Sequence, residues 1–380
     1  MRIGVSALAL RSPLESLGSG IARYCAGLLG AWAEDGGDHE FVVWVSPGFE
    51  EPEAWRNRPH LSFEVAAGPW SRHKTLWEWW SAGSAARATG CDVWFSSAHA
   101  VPMRSPVPTV LSIQDLFTFT HPEFYTLKHR LVIGRALKGA LRRAEGFVAI
   151  SRHTRDELAQ RFGIAPEHVA VTPLGLDERI RPLPAAQVSS AELKALGVGG
   201  ERYLLTLSTV EPRKNLPRLF EAFARVAAEE PDLRLVVAGR RGWKTAPIYR
   251  RPSELAIADR VDFVGYVPDV DLPKLFARCQ VFVLPSIIEG FGLPLLEAMA
   301  FGAPVACSHA GSLREVGGDV PSYFDPLDVE AMATAIRARL GSDESREEAA
   351  ARGRRRAERF SWADTAARTL EALVSAGGGA

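Results

Sequence analysis

The chain is poor in cysteine, has no excess of either charge and contains no long apolar run. Its four cysteines lie far apart and form no Cys-x-x-Cys or Cys/His cluster, which argues against a zinc site and a disulfide framework. With 45 basic and 45 acidic residues the formal net charge is zero, which argues against a general nucleic-acid binder. No stretch approaches the roughly 20 apolar residues of a membrane span, and the first residues lack the pattern of a signal peptide. We therefore expect a reduced, cytoplasmic protein.

Apolar runs of strand type alternate with amphipathic helical stretches along the chain. They occupy residues 2–10, 41–46, 91–97, 108–115, 146–151 and 168–175, and then 203–209, 233–240, 261–267, 281–286 and 304–310. Buried strands that alternate with helices are typical of parallel sheets covered on both faces. The pattern predicts an α/β protein with two Rossmann-like, doubly wound parallel-sheet domains facing a ligand cleft.

A break in this alternation sets the predicted domain boundaries. Residues 177–200 are rich in proline, alanine and glycine and contain no strand pattern, so we interpret them as a linker. The predicted domains are residues 1–180 and 181–360. Residues 361–380 are predicted to contain a closing helix, with Ser361 as its N-cap.

Two glutamates bracket an apolar segment, "IIEGFGLPLLEAMAFGAPV", at residues 287–305. Glu289 lies in the turn after a predicted strand, and Glu297 lies inside the helix that follows. A buried carboxylate without a partner is costly, so Glu297 suggests a specific donor such as a pair of ribose hydroxyls. The alternative is a solvated glutamate on a partly exposed helix.

The turn that contains Glu289 also has the features of an anion site. Gly290 and Gly292 allow a ligand to approach the backbone closely. The N–H groups near Phe291, Gly292 and Leu293 open a helix, and such groups suit a phosphate.

A second turn, in "TVEPRKNLPRLFEAF" at residues 209–223, contains two adjacent cations. Arg213 and Lys214 follow a predicted strand and precede a helix for which Asn215 is the predicted N-cap. Arginine supplies a bidentate fork and lysine a mobile charge, a combination that suits a diphosphate. Solvated surface charges are the alternative.

The pattern "EGFGLPLLE" followed by "AMAFGAPV" resembles the signature of retaining glycosyltransferases of the GT-B fold, family 4. The resemblance covers nearly the whole chain. It implies that Glu289 contacts the hexose of a nucleotide-sugar donor and that Glu297 holds its ribose. It further implies that Arg213 and Lys214 clamp the diphosphate, and that the C-terminal helix packs back toward the first domain.

Five further residues, in three segments, follow from the same resemblance. Ser208 stands where many members have an additional arginine, so the clamp is expected to depend on the later Arg-Lys pair. The backbone around Val267 is where such proteins hold the base. Gly18, Ser19 and Gly20 resemble the glycine-rich loop that approaches the donor phosphates and the acceptor, although a plain turn is the alternative.

The segment "LSIQDLFTFTHPEFY" at residues 111–125 supplies candidates for the acceptor side. Related sequences often have histidine where this chain has Gln114, which can form a hydrogen bond but cannot take a proton. Asp115 orients an acceptor hydroxyl or, alternatively, forms a turn or cap. His99 and His121 are further candidates, although a lone histidine is more often structural.

Tryptophans cluster in residues 69–80. Trp77, Trp79 and Trp80 cannot all face one side of a helix, so at least one is predicted to be exposed. Core packing explains the others. Because basic residues precede them at 72–74, contact with a membrane surface or a lipid-linked acceptor is the alternative interpretation.

The residues and the resemblance together predict retaining transfer of a hexose, of the mannose, rhamnose or glucose type, from a nucleoside-diphosphate sugar. The acceptor is a hydroxyl of a glycan, a lipid-linked molecule or a small molecule. No cofactor or metal is expected, because Arg213, Lys214 and the helix N-terminus after Glu289 supply positive charge. The alternatives are a nucleotide-sugar epimerase of the same fold and a non-catalytic sugar-nucleotide-binding protein. A location at the inner face of the membrane fits this interpretation, and the base, the acceptor and the oligomeric state stay open.

Overall fold

The computed structural model describes residues 1–10, 20–177, 182–341 and 346–378. The chain divides into two compact units, Met1–Gly175 with Phe360–Ala380, and Leu176–Arg359. Each unit contains one parallel sheet whose strands are connected by helices, which confirms the predicted α/β class.

Seven strands form the sheet of the first unit. They are β1 (Arg2–Ser6), β2 (Glu40–Val45), β3 (Leu61–Val65), β4 (Val93–Ser96), β5 (Thr109–Ile113), β6 (Gly146–Ala149) and β7 (Val169–Val171). All neighbouring pairs are parallel, in the order β3-β2-β1-β4-β5-β6-β7. The apolar pattern misses β3 because this edge strand is mostly exposed and therefore lacks a continuous apolar run.

The helices of the first unit include the one that closes the chain. With numbering along the whole chain they are α1 (Gly20–Glu34), α2 (Lys74–Trp80), α3 (Ala82–Ala88), α4 (Phe117–Thr120), α5 (Leu127–Leu141), α6 (Arg152–Phe162) and α15 (Trp362–Gly377). Ser361 caps α15 as predicted, since its side chain accepts from the Asp364 N–H at 3.0 Å. Trp32 of α1 donates from Nε1 to the Ala366 carbonyl at 3.2 Å, so the C-terminal helix packs on the first unit.

Six strands form the sheet of the second unit. They are β8 (Tyr203–Leu207), β9 (Arg234–Ala238), β10 (Val261–Gly265), β11 (Val281–Leu284), β12 (Val305–Ser308) and β13 (Ser322–Phe324). They are parallel, in the order β10-β9-β8-β11-β12-β13. The sequence pattern misses β13, which is a three-residue strand at the edge of the sheet.

The helices of the second unit begin inside the segment interpreted as a linker. They are α7 (Ser190–Ala195), α8 (Leu216–Ala227), α9 (Ala246–Glu254), α10 (Leu272–Arg278), α11 (Leu293–Ala300), α12 (Leu313–Gly317), α13 (Val329–Leu340) and α14 (Arg346–Ala357). Ser189 and Glu192 form a capping box at the start of α7. Residues 182–200 therefore contain ordered structure that belongs to the second unit.

Strand order reverses direction once in each sheet. In the first unit the reversal lies between β1 and β4, and in the second unit it lies between β8 and β11. Open α/β sheets bind ligands outside the carboxyl ends of the strands at such a switch point. In the second unit this position is occupied by the turns after β8 and β11, which contain the predicted Arg-Lys pair and Glu289.

Candidate active site

The two turns at the β8/β11 switch point are joined by hydrogen bonds. The Ile287 N–H donates to the Arg213 carbonyl at 3.0 Å. Asn215 donates from Nδ2 to the Pro285 carbonyl at 3.0 Å and to the Pro326 carbonyl at 2.7 Å. Asn215 stands at the N-cap position of α8, as predicted, but its side chain does not cap the helix. Its Oδ1, the atom that could accept from the first helix N–H groups, accepts from Nη1 of Arg218 at 3.0 Å instead.

Glu289 lies between both predicted cations. Its Oε2 is 2.9 Å from Nη1 of Arg213, and its Oε1 is 2.6 Å from Nζ of Lys214. Ser286 donates to the same Oε1 at 2.6 Å. Glu211 holds Arg213 from another edge, at 2.8 Å from Nη2 and 3.1 Å from Nε. We call Glu211, Arg213, Lys214 and Glu289 the ion cluster.

The ion cluster is shielded from solvent, so its charges interact strongly. Burial raises the pKa of the Glu289 carboxyl, but the charges of Lys214 and Arg213 outweigh it and hold that pKa at about 2. Burial and the charge of Arg213 lower the pKa of Lys214, and Glu289 opposes them. Glu289 is therefore ionised at neutral pH, and it is a hydrogen-bond acceptor rather than a proton donor.

The backbone around Glu289 is fixed by a third loop. Ser312 donates from Oγ to the carbonyls of Glu289 and Phe291, at 3.0 and 2.9 Å. Gly311 has a φ of 63°, and a Cβ at this position would lie 2.3 Å from the Glu289 carbonyl oxygen. Only glycine fits this close approach, so the loop after β12 holds the Glu289 turn in place.

The predicted donor-binding residues of the same turn surround the start of α11. Gly290 and Phe291 are buried, Leu293 is half-buried, and Gly292 is the N-cap with a φ of 100°. Gly292 has no side chain with which to cap this helix.

Three other predicted donor-binding residues, Ser208, Val267 and Glu297, are all buried. Glu297 is only 8% exposed, so the alternative of a solvated glutamate is wrong. Ser208 is buried at the end of β8, and among the described residues its Oγ has no hydrogen-bond partner. Val267 is buried after β10. Nothing in these contacts assigns a ligand to the three positions, and their roles stay predictions.

The candidates in the first unit are only partly placed. Gly18 and Ser19 lie outside the described residues. Gly20 begins α1, and no described atom lies within 4 Å of the position that a Cβ would take there. Gln114 donates from Nε2 to Ser112 Oγ at 2.9 Å. Asp115 accepts the Phe117 N–H at 3.1 Å, which is the turn role that the sequence left open for it.

The two candidate histidines have different surroundings. His121 stacks on Phe124 at a centroid distance of 5.8 Å and meets the edge of Phe117. His99 is half-buried, and burial lowers its pKa while the charge of Asp115 opposes this effect. His99 and Asp115 are therefore close enough to interact, whereas His121 is held in an aromatic stack.

Comparison with known proteins identifies the family. The model described as glycosyl transferases group 1 matches residues 190–356, and that of Glycosyltransferase Family 4 matches residues 18–179. The O-antigen chain mannosyltransferase B of Escherichia coli is 34% identical over 265 residues, which is 69% of this chain and 69% of that protein. This chain belongs to the group 1 glycosyl transferases.

Other proteins resemble this glycosyltransferase over much of its length. The GDP-mannose-dependent alpha-(1-6)-phosphatidylinositol monomannoside mannosyltransferase of Mycolicibacterium smegmatis is 29% identical over 256 residues, 64% of this chain and 65% of that protein. The crystal structure of Anabaena HepE in complex with UDP-glucose has a TM-score of 0.73 at 18% identity, covering 99% of this chain and 100% of HepE. The two Rossmann-like units of the glycosyltransferase are thus those of a GT-B fold.

The structure of the glycosyltransferase also shows charged residues that the sequence analysis did not single out. Glu78 of α2 is buried and accepts from Ser6 and Ser96 Oγ, each at 2.5 Å, and from Trp94 Nε1 at 2.9 Å. Glu157 of α6 is 3.8 Å from His153, and burial raises the pKa of its carboxyl to about 7. A glutamate among tryptophans, as in "LWEWW", was the available signal for Glu78.

The tryptophan cluster of the glycosyltransferase divides between core and surface. Trp77 is buried beside Trp44 and Trp94, at centroid distances of 5.4 and 6.3 Å. Trp79 is half-buried, and Trp80 is 61% exposed, which confirms that at least one ring of α2 faces outward. Among the described ranges, no group of three or more acidic, histidine or cysteine side chains is placed to hold a metal, and no helix is long and apolar enough to span a bilayer.

Proposed function

We propose that this glycosyltransferase moves a hexose from a nucleoside-diphosphate sugar to a hydroxyl of a glycan, lipid-linked or small-molecule acceptor, with retention of configuration. The ion cluster at the β8/β11 switch point carries the proposal. Arg213 and Lys214 both lie within hydrogen-bond distance of the Glu289 carboxylate, which supports a single charged site for the diphosphate and the hexose. Similarity to mannosyltransferases supports mannose as the sugar.

The cations of the ion cluster stabilise the departing diphosphate. Lys214 and Arg213 are largely shielded from solvent, so much of their desolvation is complete before the donor binds. Positive charge that is fixed in a poorly solvated site stabilises developing negative charge more strongly than charge in water. A lysine ammonium has three donors, so Lys214 can hold Glu289 and donate to a phosphate oxygen at the same time.

Glu289 orients the hexose in this proposal. Its pKa of about 2 keeps it ionised, and an ionised carboxylate accepts hydrogen bonds from sugar hydroxyls. Because two cations share its charge, its oxygens are weak nucleophiles, which favours attack of the acceptor on the face that the diphosphate leaves. A donor phosphate oxygen then takes the acceptor proton. The cations supply the charge neutralisation, so the proposed reaction needs no metal.

A transfer assay with matched lysine variants tests the site. Purified protein is first screened by thermal shift with GDP-mannose, UDP-glucose, ADP-glucose and dTDP-rhamnose, since a bound donor raises the melting temperature. With the selected donor and an acceptor panel, Lys214→Ala is expected to lower kcat by about 10²- to 10³-fold, the usual cost of losing one donor to developing charge. Lys274→Ala is the control, because Lys274 is also ion-paired in the second unit but lies on α10.

The outcomes separate the proposed reaction from its alternatives. Wild-type rates in Lys214→Ala would refute the site assignment. An inverted anomeric centre in the product, measured by NMR coupling constants, would refute retention. Release of free nucleotide without any acceptor would favour an epimerase, and donor binding without turnover would favour a binding protein.

A further inference from the structure

Helix α5 of the first unit has an unusually basic composition. Its sequence, LKHRLVIGRALKGAL, contains two lysines, two arginines and one histidine and no acidic residue. The whole chain has a formal net charge of zero, so this positive charge is local rather than a general property of the protein. A local excess of this kind indicates a partner with negative charge.

The same helix exposes large apolar side chains. Leu127 is 66% exposed, Leu131 is 44% exposed and Val132 is 47% exposed. Leu127 and Leu131 are four residues apart and therefore lie on one side of the helix, one turn from each other. The opposite side, with Ala136, Leu137 and Ala140, is buried in the core of the unit. The exposed apolar side chains of α5 therefore do not take part in the packing of the core.

The basic side chains beside these residues are not used by the fold. Among the residues that the structure describes, the side chains of Lys128, Arg130 and Arg135 form no hydrogen bond or ion pair. The arginines of α14 differ, because Arg346 and Arg356 donate to backbone carbonyls of the second unit. The cations of α5 are therefore available to an external partner.

A groove of about 310 Å³ runs along this side of α5, toward α4. It is lined by Phe119, Leu127, Arg130, Leu131, Arg135 and Lys138. Lys138 lies over the Phe119 ring, with Nζ 5.6 Å from the centroid. The groove therefore combines an apolar floor with three cations. This combination is complementary to an acyl chain joined to a phosphate headgroup.

We propose that the exposed side of α5 docks this glycosyltransferase on an anionic membrane surface. Leu127, Leu131 and Val132 enter the boundary between headgroups and acyl chains, while the neighbouring cations bind lipid phosphates. The mixture of exposed leucines and unpaired cations favours a lipid surface over a polynucleotide, which would not cover the apolar residues. The docking surface thus lies on α5 rather than on the tryptophan segment, for which the sequence analysis gave membrane contact as the alternative to core packing.

Vesicle co-sedimentation of the full chain tests the proposal. Wild-type protein is expected to bind vesicles of equal parts phosphatidylglycerol and phosphatidylcholine, to release in high salt, and not to bind phosphatidylcholine alone. Arg130→Gln/Arg135→Gln is expected to lower the partition coefficient roughly tenfold or more, given the usual contribution of each cation near an anionic surface. Leu127→Ser/Leu131→Ser is expected to lower it as well, and this loss should persist at low salt.

The matched control is Arg56→Gln/Arg58→Gln, which removes the same charge from an exposed loop of the same unit. It should bind as the wild type does. Failure of the wild type to bind anionic vesicles would overturn the proposal, as would an equal loss in the control. A dimer in solution that the α5 variants abolish, without vesicle binding, would assign the surface to a second copy instead. Because these readouts measure binding alone, their failure leaves the proposed reaction untouched.

Discussion

Two buried glutamates, one in each unit, have opposite surroundings. Glu289 lies beside the β8/β11 switch point against a lysine and an arginine. Glu78 accepts hydrogen bonds from serines at the carboxyl ends of β1 and β4, which is the switch point of the first sheet. Its third partner is the indole of Trp94, so no cation contacts it in the described structure.

The difference shows that a glutamate at the switch point of a parallel sheet can have two different roles, which depend on its neighbours. Among cations Glu289 stays ionised and can act on a charged ligand. Burial raises the pKa of the Glu78 carboxyl, and hydrogen bonds from its three neutral partners oppose that rise only in part. Burial without a neighbouring cation therefore works against the charged form of Glu78, and its hydrogen bonds from Ser6, Ser96 and Trp94 tie α2 to β1 and β4.

Substitution of each glutamate by glutamine is expected to give the largest difference between the two sites. Glu289→Gln should lower the free energy of unfolding by about 3–5 kcal/mol, because it leaves buried cations uncompensated and turns an amide N–H toward one of them. Glu78→Gln should cost less than about 1.5 kcal/mol, because burial disfavours the charged form of Glu78 and an amide has the shape and a donor of the uncharged form.

Hydrogen–deuterium exchange on each variant measures both costs in the unit concerned. Tryptophan fluorescence alone would not, since nine of the ten tryptophans belong to the first unit and only Trp243 to the second. Equal losses in the two variants would show that Glu78 is also an ionised group. The comparison would then fail, because both sites would be built for charge.

The sequence predicted Arg213, Lys214 and Glu289 of the ion cluster separately but not their contacts, and it did not single out Glu211. Glu289 and Lys214 are 75 positions apart in the chain, and they meet because β8 and β11 are neighbours in the sheet. Near-continuous apolar runs predicted those two strands, since both are buried on both faces. Edge strands such as β3 lack that signal. Glu78 was missed because its donors, such as Ser6 at a separation of 72 residues, are brought near only by the completed sheet.

The pH dependence of stability should differ in sign between the two glutamates. The pKa of Glu289 is lowered from 4.5 to about 2, so its contribution is present above pH 4.5 and is lost as the pH falls toward 2. The stability gap between wild type and Glu289→Gln should therefore narrow by about 3 kcal/mol over that window. The pKa of Glu78 is raised, so its contribution is full below pH 4.5 and declines as the pH rises.

The free energy of unfolding of each variant should be measured against that of the wild type from acid to neutral pH. The difference cancels the contributions of titrating groups that both proteins share. For Glu78→Gln, the wild type should be relatively more stable in acid than at neutral pH. A gap that widens with rising pH in both variants would mean that the carboxyl of Glu78 is stabilised in its charged form, as that of Glu289 is.

Removal of single serine donors should give the smallest and most local difference. Ser286→Ala removes a hydrogen bond to an ionised carboxylate and should cost about 1.5–3 kcal/mol. Ser6→Ala removes one to a carboxyl whose charged form is disfavoured by burial, and it should cost about 0.5–1.5 kcal/mol. Hydrogen–deuterium exchange measures both costs, as it does for the glutamate variants. If Ser6→Ala costs as much as Ser286→Ala, Glu78 is ionised in the folded chain. If Ser6→Ala costs less than Ser286→Ala, the loss of one serine hydrogen bond is enough to distinguish the charged site at Glu289 from the structural site at Glu78.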